Sequence, residues 1–208
     1  MKTEDFNYIL PESYIAQTPI EPRHNSRLMV LDRKTNTIRH KKFWQIGDFL
    51  RSGDLLVVNK TRVIPARLFG KKVPGGGKVE VLLLKKREEG EWVCIVGGSG
   101  LKPGRKIIFE DGPEGEILEI LEGAQRLIRF SQPVEPFLDQ IGHVPLPPYI
   151  HEKLADPERY QTVYASIPGS AAAPTAGLHF TPELIDGLKD AGIQFADVTL
   201  HVGLDTFS

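Results

Sequence analysis

Apolar and polar residues follow three different patterns along this chain, and each pattern predicts a different kind of structure. Residues 27–31 and 38–43 flank a polar Lys34-Thr35-Asn36 turn, which predicts a β-hairpin. Apolar residues then recur at helical spacing over residues 43–50, which predicts a short helix. Residues 54–59 contain a continuous apolar run, which is typical of a strand buried on both faces.

The middle of the chain consists of short apolar runs separated by turns rich in glycine, proline and acidic residues. This spacing predicts a small β-barrel or sandwich. The strands are predicted at residues 79–84, 92–96, 106–109, 116–121 and 126–130. Residues 74–78, Pro-Gly-Gly-Gly-Lys, lack the spacing of a phosphate-binding loop and precede a strand rather than a helix, so they predict a hairpin turn.

The last third of the chain returns to α/β character. Thr181 is the expected N-cap of a helix that ends at Gly192, and residues 197–202 then alternate as a strand. We therefore predict an α/β fold, split along the sequence, with an inserted small β-barrel domain. The predicted α/β domain contains residues 1–68 plus 150–208, and the predicted barrel domain contains residues 69–149.

The composition is that of an ordinary globular protein, with 40% hydrophobic, 25% charged and 8% aromatic residues. No apolar run approaches the roughly 20 residues of a membrane helix. Residues 1–17 lack the apolar centre of a signal peptide. The single cysteine, Cys94, lies in an apolar run, which favours a buried structural thiol over a reactive one. A cytoplasmic protein is expected.

Charge is unevenly distributed, although the formal net charge is only −1. Residues 23–72 contain thirteen Lys or Arg and three acids, whereas residues 110–158 contain eleven acids and three bases. The basic segment suits a polyanion such as nucleic acid, because each cation that neutralises a phosphate releases counterions. The alternative is a solvated face that the acidic segment balances. His24 and His40, both in the basic segment, are expected at the surface.

Residues 170–180 form the most unusual stretch of the sequence. Its small residues let a backbone approach a ligand closely, and it leads into a helix N-terminus, which favours anionic groups. A plain tight loop is the alternative. His179 in this stretch and His201 at the end of its predicted strand are expected to converge on one crevice, with structural roles as the alternative. The six histidines lack metal-ligand spacing, so no metal is expected.

Several segments, in the same order along essentially the whole chain, resemble one family. The most specific is Pro-Thr-Ala-Gly-Leu-His-Phe-Thr at residues 174–181, which is rarely met elsewhere. The matching segments are residues 15–17, 23 with 26–31, 53–59 with 65–68, 145–150, 158–165, 172–181 and 200–203. By these segments the chain is similar to the S-adenosylmethionine:tRNA ribosyltransferase-isomerases of queuosine biosynthesis.

The resemblance implies a reaction. Family members move the ribosyl group of S-adenosylmethionine to the aminomethyl nitrogen of 7-aminomethyl-7-deazaguanine in a tRNA anticodon loop, and adenine and methionine leave. The product is epoxyqueuosine. The implied partners are tRNA and S-adenosylmethionine, with no membrane contact and a monomeric protein. No cofactor is implied, because S-adenosylmethionine is a consumed substrate.

Residue type and position in these segments give candidate roles. His179 and His201 are the candidate base and acid, since imidazole exchanges protons near neutral pH. Arg62 or Arg67 is expected to hold the methionine carboxylate through paired hydrogen bonds. The other expected substrate-binding residues are Asn59, Thr61, Tyr149, Tyr160, Thr175, Gly177 and Phe180. The expected tRNA-binding residues are Arg23, Arg27, Lys41, Lys42, Lys71 and Lys72.

Two features depart from the family pattern. Family members continue well beyond the position of Ser208, and Asp205 stands where they usually have the second glycine of His-Val-Gly-x-Gly-Thr-Phe. Glycine there allows positive φ or close approach of a ligand, which aspartate tolerates less well. The alternative function is therefore a truncated, non-catalytic tRNA-binding remnant of the same family. A third function, that of an unrelated β-rich module that binds carbohydrate or protein, would leave the matching segments unexplained.

Overall fold

The computed structural model describes residues 1–152 and 154–202. Its N-terminal part contains an antiparallel hairpin of β1 (Arg27–Asp32) and β2 (Thr37–Lys42), which confirms the predicted hairpin. The Asp32 carboxylate closes the turn by accepting hydrogen bonds from two backbone N–H groups, at 2.9 and 3.2 Å. The 3-10 helices of this part are Thr3–Phe6, Glu12–Tyr14, Arg23–Asn25 and Phe43–Phe49, the last of which is the predicted short helix.

Two short strands, β3 (Leu55–Asn59) and β4 (Thr61–Val63), lead towards the middle of the chain. The prediction that β3 is buried on both faces is wrong. Leu55 and Val57 are 53% and 61% exposed, because the described residues cover only one face of this strand. The apolar run correctly identifies a strand, but its burial depends on neighbours that lie far away in the sequence.

A closed antiparallel barrel occupies residues 67–130. Its strands are β5 (Arg67–Val73), β6 (Lys78–Glu88), β7 (Glu91–Gly97), β8 (Lys106–Phe109), β9 (Gly115–Ile120) and β10 (Gln125–Phe130). The strand order is β5-β6-β7-β10-β9-β8, and pairing of β5 with β8 closes the sheet. Inward-facing residues of these strands fill the barrel with an apolar core. The predicted barrel and the predicted turn between β5 and β6 are confirmed.

Strand β5 is missing from the sequence prediction, because Gly70, Lys71 and Lys72 interrupt its apolar pattern. The structure explains the glycine. A Cβ atom at Gly70 would lie 2.7 Å from Cγ2 of Ile107 and 2.8 Å from the carbonyl oxygen of Ile108, so β5 and β8 could not approach each other. The closure of the barrel therefore requires a glycine at this position.

The prediction that Cys94 is a structural thiol agrees with its place in the barrel core. The side chain is fully buried on β7 among apolar neighbours. Burial raises the pKa of the Cys94 thiol far above its ordinary value, since a thiolate would be poorly solvated there. The thiol stays protonated at neutral pH and acts as a small apolar side chain.

The segment after the barrel is mostly irregular. It contains a short helix α1 (Leu138–Ile141) and a two-residue strand β11 (Gly142–His143), which pairs with β5. The 3-10 helices here are Glu135–Phe137, Pro157–Tyr160 and Thr175–His179. None of the helices within the described ranges is long and apolar enough to cross a membrane.

The C-terminal part returns to the N-terminal strands. Strand β12 (Ile167–Ser170) pairs in parallel with β4, and β13 (Gln194–Val198) pairs in parallel with β3. Between them lies α2 (Pro182–Asp190). The fold is therefore α/β with an inserted β-barrel, as predicted. The limits of the two domains, residues 1–68 with 150–208 and residues 69–149, stay a prediction.

Helix α2 has the predicted caps. The Thr181 hydroxyl accepts a hydrogen bond from the backbone N–H of Leu184 (3.3 Å), and Gly192 follows the helix with φ +85°. The prediction for β13 is only partly correct. The strand ends at Val198, so His201 lies in the irregular segment after the strand rather than within it. Asp205 lies outside the described residues.

Candidate functional site

The first candidate site is a cavity of about 660 Å³ between the N-terminal segment and residues 146–179, here called the tyrosine cavity. Residues from three separated segments line it, so only the folded chain assembles it. Among its lining residues are Gln17, Tyr149, Glu152, Asp156, Arg159, Tyr160, Thr175 and His179. Four residues that the sequence predicts as substrate-binding or catalytic therefore lie together here: Tyr149, Tyr160, Thr175 and His179.

The segment that carries Tyr149 is held by one glutamine. Gln17 donates a hydrogen bond to the carbonyl oxygen of Tyr149 (3.0 Å) and accepts one from the backbone N–H of His151 (2.8 Å). Tyr149 is 53% exposed, whereas Tyr160 is buried, and both line the cavity. Burial raises the pKa of the Tyr160 phenol, so this group stays neutral. The cavity thus offers one exposed and one buried aromatic ring.

His179 ends the 3-10 helix Thr175–His179, and its orientation fixes its protonation pattern. Nδ1 lies 3.1 Å from the carbonyl oxygen of Ala176. A carbonyl oxygen can only accept, so Nδ1 carries the hydrogen, and Nε2 of the neutral ring keeps a free lone pair. The Phe43 ring packs against the imidazole at 5.2 Å between centroids. This geometry makes Nε2 available as a proton acceptor.

A second cavity, of about 600 Å³, adjoins the first and is here called the basic cavity. Cationic side chains line it, and its described lining residues include no carboxylate. These cations are Arg23, Arg27, Lys42 and Arg159. His179 and Arg159 line both cavities, so the imidazole lies at the junction of the two. Such a pair of cavities can hold a mixed-charge ligand beside a polyanion.

Arg23 is held firmly by the backbone. Its guanidinium donates hydrogen bonds to the carbonyl oxygens of Gln161 (2.5 Å) and Glu158 (2.8 Å). Burial and the nearby charge of Arg159 lower the pKa of Arg23. Arg159 is itself paired with Glu21, with Nε 2.7 Å from the carboxylate. Arg159 is not among the residues predicted from the sequence to bind substrate or tRNA, although it lies in the family-like segment 158–165, next to Tyr160.

The other residues predicted to bind tRNA are spread over different elements. Arg27 and Lys42 line the basic cavity, whereas Lys41 is half-buried on β2. Lys71 and Lys72 lie on β5 of the barrel, and Lys72 donates a hydrogen bond to the carbonyl oxygen of Ser99 (2.8 Å). The basic segment of the sequence is therefore not one continuous basic surface.

Arg62 and Arg67, the two candidates for binding the methionine carboxylate, each lie beside an acidic side chain. Arg62 forms an ion pair with Glu158. Nε of Arg67 lies 3.0 Å from Oε1 of Glu80, close enough for an ion pair although not aligned for a hydrogen bond. Each guanidinium would have to leave its acid, or share it, in order to bind methionine. The structure gives neither of them a place in the tyrosine cavity.

Asn59 and Thr61 make contacts within the fold. The Asn59 amide donates to the carbonyl oxygen of Leu200 (2.9 Å) and accepts from the Leu200 N–H (3.1 Å). The Thr61 hydroxyl donates to the same carbonyl (3.1 Å). These two residues anchor the segment that carries His201. The His201 ring packs against the backbone of Gly169, and among the described residues it lines neither cavity.

Two further candidates lie in the protein interior. Phe180 is buried in the core with Phe43 and Leu188, so it does not present its ring to a ligand. Gly177 is also buried, and a Cβ there would lie 2.2 Å from the Tyr164 hydroxyl. His24, expected at the surface, is half-buried, with Nδ1 3.3 Å from the Thr181 hydroxyl. The catalytic and binding roles given to all these residues stay predictions.

Comparison with known proteins agrees with the resemblance seen in the sequence. Residues 3–208 match the family model described as queuosine biosynthesis protein. A relative from Carboxydothermus hydrogenoformans is 58% identical, and one from Desulfitobacterium hafniense is 54% identical. Both are named S-adenosylmethionine:tRNA ribosyltransferase-isomerase. The alignments cover 100% of this chain, which spans 62% of the length of each relative.

A solved structure also matches the chain. The crystal structure of S-adenosylmethionine tRNA ribosyltransferase from Thermotoga maritima is 38% identical over 95% of this chain and 58% of that chain, with a TM-score of 0.40. The family model is the broader finding, since it matches nearly every residue from the N-terminal segment to the C-terminal end. The chain therefore belongs to the queuosine biosynthesis protein family.

Proposed function

We propose that this protein transfers and isomerises the ribosyl group of S-adenosylmethionine onto 7-aminomethyl-7-deazaguanine in tRNA. Adenine and methionine are released, and the product is epoxyqueuosine-tRNA. Family membership and the names of the relatives support the proposal. The position of His179 is the observation that links this proposed function to a site. His179 lies between a cavity with aromatic and acidic residues and a cavity lined by cations.

The tyrosine cavity is the proposed site for S-adenosylmethionine. This substrate carries a sulfonium, an ammonium and a carboxylate, so its net charge is positive. Tyr149 and Tyr160 can face the sulfonium or stack on adenine. Glu152 and Asp156, for which the sequence predicts no role, supply negative charge in the same cavity. Arg159 is the arginine that lines this cavity and the proposed partner of the methionine carboxylate, which it would bind while sharing its charge with Glu21.

His179 is the proposed proton-transfer residue. The sulfonium acidifies the neighbouring 5′ carbon of the ribosyl group, and a base must remove a proton there. Nε2 of His179 has the free lone pair that this step requires, because Nδ1 donates to Ala176. Adenine must then leave, the aminomethyl nitrogen must bond to the ribosyl group and lose a proton, and the bond between the ribosyl carbon and the sulfonium sulfur must break to release methionine. His201 stays the candidate for the acid that assists the departure of adenine.

The proposed partners are tRNA and S-adenosylmethionine, and no cofactor is required, since S-adenosylmethionine is consumed. We place the reaction in the cytoplasm, with the protein acting as a monomer. The alternative is a tRNA-binding protein of the same family without catalytic activity. It needs a test because the chain spans 62% of the length of its relatives.

The deciding experiment combines the 208-residue chain with S-adenosylmethionine and an RNA hairpin that carries 7-aminomethyl-7-deazaguanine. Chromatography measures adenine release, and mass spectrometry of the digested RNA detects the transferred ribosyl group. The control RNA has guanine at the same position and lacks the amine, so it should gain no ribosyl group. Binding of RNA without adenine release would favour the non-catalytic alternative. Failure to bind either substrate would contradict both functions.

A further inference from the structure

Two like charges face each other at the open end of the β1–β2 hairpin. Arg27 begins β1, Lys42 ends β2, and the two are direct partners in the strand register. Like charges at directly opposite positions of neighbouring strands destabilise a sheet. Within the described residues neither side chain forms an ion pair with a carboxylate. An arrangement of this kind is stabilised when an anion binds between the two cations.

The surroundings of this pair are also positive. Both side chains line the basic cavity together with Arg23 and Arg159. Glu21 balances one of these charges through its ion pair with Arg159. Arg23 lies close enough to Arg159 for the charge of one to affect the other, and the carboxylates of Glu21, Asp156 and Glu158 also act on Arg23. None of these acids forms an ion pair with Arg27 or Lys42 among the described residues, so the exposed cations of the basic cavity keep their charges unpaired.

We propose that the basic cavity is a phosphodiester subsite, in which Arg27 and Lys42 hold the RNA phosphate next to the nucleotide that is modified. The proposal rests on the proposed function and makes it more specific. Because His179 lines both cavities, a phosphate in the basic cavity brings its own nucleotide to the junction where the imidazole lies. RNA and S-adenosylmethionine then approach His179 from opposite cavities.

A carboxylate is the other anion that could bind there, since S-adenosylmethionine contains one. The net positive charge of that molecule disfavours it in a cavity whose described lining includes four cationic side chains and no carboxylate. The tyrosine cavity already provides it with acids as well as with Arg159. A phosphodiester belongs to a polyanion, and the field of several cations favours every part of such a ligand.

The test removes two charges at each end of the same hairpin. The double variant Arg27→Gln/Lys42→Gln removes both cations of the subsite. The control Arg33→Gln/Lys34→Gln removes the same amount of charge at the closed end of the hairpin, where both side chains are exposed. Fluorescence anisotropy measures binding of the hairpin RNA over a series of salt concentrations. We expect the subsite variant to reduce the slope of log affinity against log salt by about 0.7 for each phosphate that the protein no longer neutralises. The control should keep a slope near that of the parent chain.

A chemically modified RNA locates the phosphate. A methylphosphonate removes the charge of one linkage beside the modified nucleotide. This change should weaken binding to the parent chain about tenfold or more, but should hardly affect binding to the Arg27→Gln/Lys42→Gln variant, because that variant already lacks the two cations that would hold the phosphate. Calorimetry with S-adenosylmethionine distinguishes the two possible anions. The affinity for this substrate should be the same in parent and variant.

Three results would overturn the proposal. The first is an equal loss of RNA affinity in the subsite variant and the control. The second is loss of S-adenosylmethionine binding with RNA binding retained, which would assign the cavity to the methionine carboxylate. The third is no RNA binding by the parent chain. A parent chain that releases no adenine, but shows the expected charge dependence, would contradict the proposed catalysis and leave the phosphate subsite standing.

Discussion

The side-chain amide of Gln161 pairs with both backbone groups of Val63. The Val63 N–H donates to Oε1 (3.0 Å), and Nε2 donates to the Val63 carbonyl oxygen (2.8 Å). The backbone groups of the neighbouring residue Ile64 face the other way, and its N–H donates to Ser170 of β12. Gln161 therefore occupies the edge of β4 opposite β12 and takes the place of a further strand.

Loss of this amide should destabilise the fold. Gln161→Ala leaves a buried N–H and a buried carbonyl without partners, and we expect the free energy of unfolding to fall by about 1–3 kcal/mol for each group that water cannot reach. Gln161→Glu keeps the shape but places a carboxylate oxygen against the Val63 carbonyl, so it should be at least as damaging at neutral pH. Urea unfolding measures both variants.

The matched control is Gln132→Ala, because Gln132 is an exposed glutamine in the loop after β10. This change should alter the free energy of unfolding by less than about 0.5 kcal/mol. A Gln161→Ala variant as stable as the control would show that the side-chain amide is not required to complete the edge of β4.

A second prediction concerns the contact between Gly177 and Tyr164. A Cβ at Gly177 would lie 2.2 Å from the Tyr164 hydroxyl and 3.0 Å from Cγ2 of Thr162, so Gly177→Ala should reduce stability by about 1–3 kcal/mol through overpacking. Tyr164→Phe removes the clashing oxygen and should restore part of the loss. Thermal unfolding of the two single variants and the double variant measures this coupling.

Gly187→Ala is the control for this prediction. Gly187 lies within α2, and a Cβ there would meet no atom within 4 Å. Alanine is a better helix former, so this variant should gain up to about 1 kcal/mol of stability. If Tyr164→Phe fails to relieve Gly177→Ala, the Tyr164 hydroxyl is not the group that limits side-chain size at this position.

The sequence predicts structure well wherever local pattern decides the result. Alternation and turn residues identify the hairpin and most of the barrel strands, since each hairpin pairs neighbouring segments. The pattern of apolar and polar residues does not show which distant residues a side chain contacts in the folded protein. Arg62 has the right chemistry for a carboxylate clamp, but its acid is Glu158, which lies 96 positions away in the sequence. Burial of β3 is mispredicted for the same reason.

The site shows the same limit. The sequence groups Tyr149, Tyr160, Thr175 and His179 because the segments that contain them resemble a family. These four residues line one cavity, and their roles stay predictions. It also groups His201 with His179, although the fold places His201 against Gly169 instead. The contribution of Arg159 depends on cavities formed by segments far apart in the chain, and only the structure shows them.

A third prediction follows from the pair between Lys60 and Asp197. The hydrogen bond from Lys60, followed by its charge, lowers the pKa of the Asp197 carboxyl. A carboxyl whose pKa is lower in the folded state stabilises the fold above its unfolded pKa of about 3.9, and this contribution is lost as the pH falls through the folded pKa. Asp197→Asn should therefore lower the melting temperature at neutral pH.

The pH profile separates this pair from a simple loss of packing. The difference in melting temperature between parent and Asp197→Asn should shrink below about pH 4 and disappear in stronger acid. Asp186→Asn, which changes an exposed carboxylate on α2, serves as the control and should show no such convergence. A difference that stays constant down to acid pH would mean that the ion pair contributes nothing measurable.

The last prediction concerns the role of His179, whose Nε2 is free for proton transfer while Nδ1 is held by Ala176. In a form of the protein that releases adenine, His179→Ala should reduce turnover by about a hundredfold or more. The affinity for S-adenosylmethionine should change far less, because a group that acts in the transition state need not hold the ground state. If the imidazole were only a packing partner of Phe43, its removal would instead lower the melting temperature and affect both quantities through unfolding. His151→Ala, which removes an exposed imidazole from the segment held by Gln17, is the control and should leave turnover near the parent value. A stable His179→Ala variant with near-normal adenine release would remove His179 from the mechanism and leave His201 as the candidate.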